Sequence, residues 1–288
     1  QRSSQIRLIV QKGQLILGFG TLILALALYF GGKTIQKKTG DNHASKTENV
    51  TLEQYAILQT DKLPDSSRIT ISKLTAQLKA ADKNDTALFK KLYLESSRFW
   101  KNTGNEALGT YYFYQFAQID QTKDILANAG DALVSAFKSG SDSTISNNLI
   151  TFALRSYEQA VEKDGSDIEL QIKLADVYVQ GSQEPMKGIG ILRHLSDSLP
   201  SNIPVALALG RLSIQSGQFD KAKERFKKVL QLEPQNTEAM YFLAITEAQL
   251  GHNEEAIRLF ELCKTLVNKE DFNKEIDEIV NSLKNKKV

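Results

Sequence analysis

A period of 34 residues near the C-terminus constrains this chain more than any other feature of its sequence. Residues 202–235 and 237–270 share a large residue followed by a small one, then a glycine, an alanine, an aromatic residue and a second small residue. The matching positions are Leu209 and Leu243, Gly210 and Ala244, Gly217 and Gly251, Ala222 and Ala256, Phe226 and Phe260, and Val229 and Cys263. Such a period indicates a repeat architecture, in which each unit needs its neighbours to bury its apolar face.

The residue types within each unit predict two helices joined by a turn. Glycine suits the turn because it adopts left-handed backbone conformations without a steric penalty, and small residues allow two helices to cross closely. The order of these residues resembles the tetratricopeptide repeat (TPR), and Pro234 stands where that repeat closes with a proline. The resemblance implies an all-α fold, a right-handed solenoid of stacked helix pairs, and a role in binding other proteins.

Weaker copies of the pattern extend towards the N-terminus. Together with the two clear copies they predict about five repeats, which start near residues 90, 123, 168, 203 and 237. The turn of the second repeat carries an insertion at 139–148. A further helix is expected at 67–84, and the amphipathic segment 272–286 is expected to cap the last repeat. The predicted solenoid therefore covers residues 67–288.

The N-terminal part of the chain has a different composition. Residues 1–12 form a basic tail, and residues 13–32 form an uncharged, mostly apolar run of 20 residues. As a helix this run would be about 30 Å long, which matches the hydrocarbon core of a bilayer. Its apolar surface extends all round, unlike that of an amphipathic core helix, and it is longer than the apolar region of a cleaved signal peptide. The sequence predicts a transmembrane helix at 13–32, followed by a linker at 33–66 that includes a short helix near 51–59.

Basic residues do not decide the orientation of this helix, because three precede it and three follow it within residues 1–38. A short basic tail before the helix and a long domain after it are typical of a signal anchor. We therefore expect a single-pass protein of the bacterial inner membrane, with residues 39–288 outside the cytoplasm and the solenoid in the periplasm. The opposite topology, a cytosol-facing TPR receptor or assembly factor of a membrane complex, remains the alternative.

No sequence motif indicates an enzyme. The chain has no glycine-rich nucleotide loop, zinc-protease motif or serine-hydrolase motif. Its one cysteine, Cys263, occupies a packing position of the fifth repeat, and His43, His194 and His252 lie far apart. The basic excess is confined to residues 1–38, which makes the chain a poor match for nucleic acid. We expect no catalytic residue, no cofactor, no metal and no nucleic-acid partner.

Three tyrosines stand close together in the first repeat, at Tyr111, Tyr112 and Tyr114. Such a cluster could serve as a platform for a ligand. Its helical spacing beside Phe113 and Phe116 favours a place in the core and at its rim instead.

Partner proteins are expected to bind along the face formed by the first helices of the repeats, because stacked repeats present an extended surface there. In the fourth and fifth repeats an arginine and a tyrosine stand among apolar residues on this face, a composition typical of binding hot spots. The predicted contact residues are Leu207, Arg211, Ile214, Tyr241 and Ile245. The Lys and Asn pair with which some TPR proteins bind a C-terminal carboxylate is missing, and Glu169 and Asp176 would repel one.

The whole arrangement resembles single-pass TPR proteins of the bacterial envelope. These include the YfgM-type ancillary subunit of the Sec translocon and, over residues 186–230, a group of TPR proteins found in the Bacteroidota. The resemblance implies a non-catalytic, membrane-anchored scaffold that binds peptide or helix segments of partner proteins. Subunits of an envelope complex, the Sec translocon and exported clients are the partners it suggests.

Overall fold

The computed structural model describes residues 50–140, 142 and 144–285, all within one compact unit that spans residues 48–288. In these residues the chain forms thirteen helices and no strand. The predicted basic tail and the predicted transmembrane helix at 13–32 lie outside the described residues. None of the thirteen described helices is both long enough and apolar enough to cross a bilayer.

Ten of these helices form five consecutive pairs. The helices are α1 (Leu52–Thr60), α2 (Asp65–Ala80), α3 (Thr86–Asn102), α4 (Glu106–Asp120), α5 (Lys123–Lys138), α6 (Ser146–Lys163), α7 (Ile168–Gly181), α8 (Pro185–Ser198), α9 (Ile203–Gln215), α10 (Phe219–Leu232), α11 (Thr237–Gln249), α12 (Asn253–Val267) and α13 (Glu270–Asn285). The pairs begin with α3, α5, α7, α9 and α11, close to the five repeat starts expected near residues 90, 123, 168, 203 and 237. The helix expected at 67–84 is α2.

Turn and capping residues explain where the helices of the last two repeats begin and end. Gly217 and Gly251 follow the first helix of each pair with φ values of +69° and +83°, a region in which other residues are strained. The side chains of Asn202 and Asn236 precede α9 and α11, and each accepts a hydrogen bond from a backbone N–H in the first turn, at 3.1 and 2.9 Å. These caps satisfy donors that the helix itself leaves free.

Small and aromatic residues pack the helix pairs together as the repeat pattern predicted. Phe226 and Phe260 are 0% and 1% exposed, and Ala222 and Ala256 are fully buried. Gly210 lies so close to the Phe226 ring that a Cβ atom there would stand 2.5 Å from it. The small residue therefore leaves room for the aromatic ring of the following helix.

The last described helix, α13, packs on the end of the fifth helix pair, where the sequence led us to expect a capping helix at 272–286. Ile276, Val280 and Leu283 lie on one face and are buried in the same hydrophobic cluster as Phe260. An ion pair of 2.5 Å between Lys264 and Asp277 joins α13 to α12.

The first described helix, α1, corrects the predicted boundary between linker and solenoid. It lies within residues 33–66, but Leu52 is 1% exposed and belongs to the N-terminal core. Thr51 and Gln54 form a capping box, with hydrogen bonds of 3.2 and 2.9 Å between each side chain and the other residue's backbone N–H. Because α1 buries apolar surface, this part of the segment belongs to the folded unit.

The insertion in the second repeat packs against α1. Ile145, immediately before α6, is fully buried in the core that also contains Leu52. The side chain of Asn148 donates a hydrogen bond of 2.8 Å to the carbonyl oxygen of Val50. The extra residues of this turn therefore hold the start of α1 on the second repeat.

Candidate protein-binding face

The predicted contact residues lie on α9 and α11, the first helices of the fourth and fifth repeats. Ile214, Tyr241 and Ile245 are half-buried and pack against the C-terminal core, so each keeps part of its apolar surface open to solvent. Leu207 is only 6% exposed and is itself a member of that core. Its burial leaves it little surface for a ligand. The repeat position of Leu207 does not show that it is more buried than Ile214, Tyr241 and Ile245.

Arg211 connects three repeats through ion pairs. One of its Nη atoms lies 3.9 Å from a carboxylate oxygen of Asp176 on α7, and the other is hydrogen-bonded to Glu238 on α11. Another ion pair joins the second and third repeats, where Lys173 of α7 lies 3.0 Å from Asp131 of α5. Every member of this charged row (Asp131, Lys173, Asp176, Arg211 and Glu238) therefore has a partner of opposite charge, and its three carboxylates outnumber its two cations by one.

The surroundings of Asp176 in the charged row disfavour its ionised form. Burial raises the pKa of its carboxyl group, and the nearby Glu238 carboxylate acts in the same direction, whereas Arg211 and Lys138 oppose the change. One arginine is thus shared between two carboxylates. Removal of Arg211 would leave Asp176 with less compensation for its burial.

Tyr241 is held in place by the capping helix. Its hydroxyl group donates a hydrogen bond of 3.3 Å to Glu275 on α13, and its ring centroid lies 5.8 Å from that of Phe260 and 6.0 Å from that of Phe272. Burial and the Glu275 carboxylate raise the pKa of Tyr241 to about 12. The hydroxyl group therefore stays protonated at neutral pH, and the ring presents a rigid apolar surface beside Ile245.

Cys263 and His252 have surroundings that account for both side chains. Cys263 is fully buried, and burial raises the pKa of its thiol to about 11, so the nucleophilic thiolate is scarce at neutral pH. His252 pairs through Nδ1 with Glu247 at 2.7 Å, and Lys223 lies 2.9 Å from the same carboxylate. Within the described part of the chain no group of three or more His, Cys, Asp or Glu side chains is placed to hold a metal ion.

A second concave surface lies at the other end of the solenoid, and it includes two of the three tyrosines that the sequence offered as a possible ligand platform. It is a cleft of about 690 Å³ between α1 and α2, with Tyr93 of α3 and two tyrosines of α4, Tyr111 and Tyr112, in its lining. Tyr111 and Tyr114 are buried, as the helical spacing suggested, whereas Tyr93 and Tyr112 are only half-buried. We call this feature the tyrosine cleft.

Glu53 of α1 stands at the edge of the tyrosine cleft. It accepts a hydrogen bond from the hydroxyl group of Tyr111. Burial acts to raise the pKa of Glu53, but this hydrogen bond and those from the start of α1 outweigh it, so the pKa lies below its usual value. The carboxylate is therefore ionised at neutral pH.

Comparison with known proteins identifies the repeat type in part of the chain. Residues 213–262 match the family model described as tetratricopeptide repeat, so this segment carries the repeat that the 34-residue period resembles. No curated protein sequence matches the chain.

Several solved structures are similar to the chain at low sequence identity. TTC0263, described as a thermophilic TPR protein in Thermus thermophilus, is 17% identical over 66% of this chain and 97% of its own, with a TM-score of 0.47. MamA from Desulfovibrio magneticus RS-1 is 16% identical over 64% and 97%, with a TM-score of 0.44. YrrB, described as a TPR protein with an unusual peptide-binding site, is 14% identical over 71% and 97%, with a TM-score of 0.40.

Proposed function

We propose that this chain, whose C-terminal part carries tetratricopeptide repeats, is a non-catalytic scaffold that binds segments of partner proteins on the face formed by α9 and α11. The observation that carries the proposal is the half-buried set Ile214, Tyr241 and Ile245 beside Arg211. Apolar side chains that are fixed by the core but still open to solvent can bury further area against a partner without much loss of conformational freedom.

The charged row favours a ligand that binds mainly through apolar side chains. Its cations and carboxylates already pair across repeat boundaries, so an ionic ligand group would have to displace an existing partner. We propose that apolar side chains of an extended or helical partner segment supply most of the binding energy, and that Arg211 contributes a hydrogen bond that fixes the register. A free C-terminal carboxylate is a poor ligand for this face, because Asp176 and Glu238 flank the arginine.

Photo-crosslinking in cells tests this face directly. A crosslinking amino acid at Gln215 or Gln249, which are exposed beside the candidate residues, is expected to trap partner proteins, whereas the same group at the exposed Lys227 of α10 should not. Tyr241→Ala and Arg211→Ala are each expected to weaken binding by about 30-fold, as for hot-spot residues worth about 2 kcal/mol, and so to reduce the trapped amount. Equal yields at Lys227, or trapping that survives both substitutions, would place the binding surface elsewhere.

We further propose that the scaffold is anchored in the bacterial inner membrane through residues 13–32, with its solenoid in the periplasm. The uncharged, apolar run of 20 residues at 13–32 supports the anchor, because a helix of that length matches the hydrocarbon core of a bilayer. The proposed site of action is a translocation or envelope assembly complex, with its subunits or exported clients as partners.

Fusion of alkaline phosphatase or green fluorescent protein after residue 288 tests the topology. Phosphatase folds to an active form only after export, so we expect an active phosphatase fusion in the membrane fraction and a dark fluorescent fusion. The reverse result would support the cytosol-facing receptor instead. Recovery of both fusions in the soluble fraction would refute the anchor.

A further inference from the structure

We propose that the tyrosine cleft is a second binding site, separate from the face on α9 and α11, for a partner segment that presents an aliphatic side chain next to a lysine or arginine. The cleft has the size of a ligand pocket, and it lies between two helices that precede the repeats. Its own chemistry, rather than that of the repeats, defines the ligand.

The floor of the cleft is aromatic and preformed. The ring centroids of Tyr93 and Tyr112 are 6.4 Å apart, and those of Tyr111 and Tyr112 are 5.3 Å apart at a steep angle of 65°. The wall formed by α1 is fixed from outside the cleft, through the buried Leu52 and the hydrogen bond from Asn148 to Val50. The space between α1 and α2 is therefore held open by contacts that do not depend on a ligand.

Two exposed isoleucines stand on the helices that form the cleft, one in its lining and one on the same stripe of α2 as its lining residues. Ile57 of α1 lines the cleft and is 65% exposed, and Ile69 of α2 is 69% exposed. Ile69 precedes Ser72 and Ala76 by one and two helical turns, so it extends the stripe of α2 that lines the cleft. An aliphatic side chain inserted between α1 and α2 would cover tyrosine rings and isoleucine side chains.

The charges at the cleft favour a cation beside that aliphatic side chain. Glu53 and Asp61 line the cleft against a single basic residue, Lys79. The faces of tyrosine rings also attract cations. A lysine or arginine next to the aliphatic residue would face these carboxylates, whereas an acidic residue would be repelled.

A peptide selection on the full chain tests the proposal while the partner is still unidentified. Random dodecapeptides displayed on phage are selected on the chain and then tested on two variants of α2, Ala76→Trp and Gln77→Trp. Both positions are exposed, but only Ala76 lines the cleft, so the first indole fills the cleft and the second serves as its control. Thermal unfolding of both variants checks that they remain folded.

We expect a class of peptides that carries an aliphatic residue beside lysine or arginine, binds the Gln77→Trp chain normally and binds the Ala76→Trp chain at least about 10-fold more weakly, a difference of about 1.4 kcal/mol. Ile57→Ser, which removes apolar surface without adding charge, should weaken the same peptides, whereas Leu58→Ser, at an exposed position of α1 that does not line the cleft, should not. The proposal is overturned if no selected peptide is sensitive to Ala76→Trp, if the sensitive ones are acidic, or if Ala76→Trp instead dissociates a dimer of the chain in sedimentation.

Discussion

Replacement of Phe226 by alanine is expected to lower the free energy of unfolding by about 3–5 kcal/mol, the usual loss for a buried aromatic side chain. The ring is fully buried and stacks on Phe242 of the next repeat, with centroids 5.7 Å apart. Gly210 on the preceding helix is too small to fill the cavity that the substitution leaves. Because the ring joins two repeats, its loss should loosen both.

Urea unfolding followed by circular dichroism measures the effect, and hydrogen exchange locates it. Leu232→Ala, at the end of the same helix, is the control because Leu232 is 48% exposed and should lose far less stability. Faster exchange is expected in α9 to α12, since contacts in a solenoid are local. A loss for Phe226→Ala no larger than that of the control would contradict the packing described for this ring.

Two glycines of α8 are expected to respond to alanine in opposite directions. A Cβ atom at Gly188 would lie 2.3 Å from the carbonyl oxygen of Ala175, whereas a Cβ atom at Gly190 would meet nothing within 4 Å. Gly188→Ala therefore forces α7 and α8 apart, and we expect a net loss of about 1–3 kcal/mol from overpacking. Gly190→Ala should instead stabilise the helix by up to about 1 kcal/mol, because alanine has the higher helix propensity.

Melting temperatures of the two variants and of the parent chain measure this difference. The two variants are well matched, because both replace a glycine of α8 by alanine. They differ in that only Gly188 lies against a neighbouring helix. A gain in stability for both variants would show that α7 and α8 do not cross at Gly188.

The sequence predicted the repeats well because their signals are local and periodic. Gly217 and Phe226 each recur after 34 residues, and both occupy the turn and the core position expected of them. The amphipathic pattern of residues 272–286 likewise predicted α13, whose apolar stripe has a core to cover. In each of these cases the local sequence pattern is enough to predict the helix or turn and which of its residues are buried.

Features that depend on contacts between distant segments were not predictable in this way. The tyrosine cleft joins Glu53 and Ile57 to Tyr112, and nothing in the local pattern of either segment indicates the other. The packing of α1 depends on Asn148, nearly a hundred residues away. At the candidate face, the repeat position placed Leu207 and Ile214 alike, but Leu207 is a buried member of the C-terminal core whereas Ile214 is only half-buried against it.

The capping helix α13 covers the apolar end of the last repeat. Glu275 follows Tyr241 by one repeat length, so α13 stands in register with the first helix of a further repeat. Its solvent-exposed positions are all polar: Glu270, Asp271, Lys274, Glu275, Asp277, Glu278, Asn281, Ser282, Lys284 and Asn285. It covers the packing surface of the fifth repeat, and Phe272 and Ile279, its half-buried apolar residues, also pack against that core. One helix therefore shields the apolar end of the fifth repeat from water, and repeats could be gained or lost ahead of it without exposing that end.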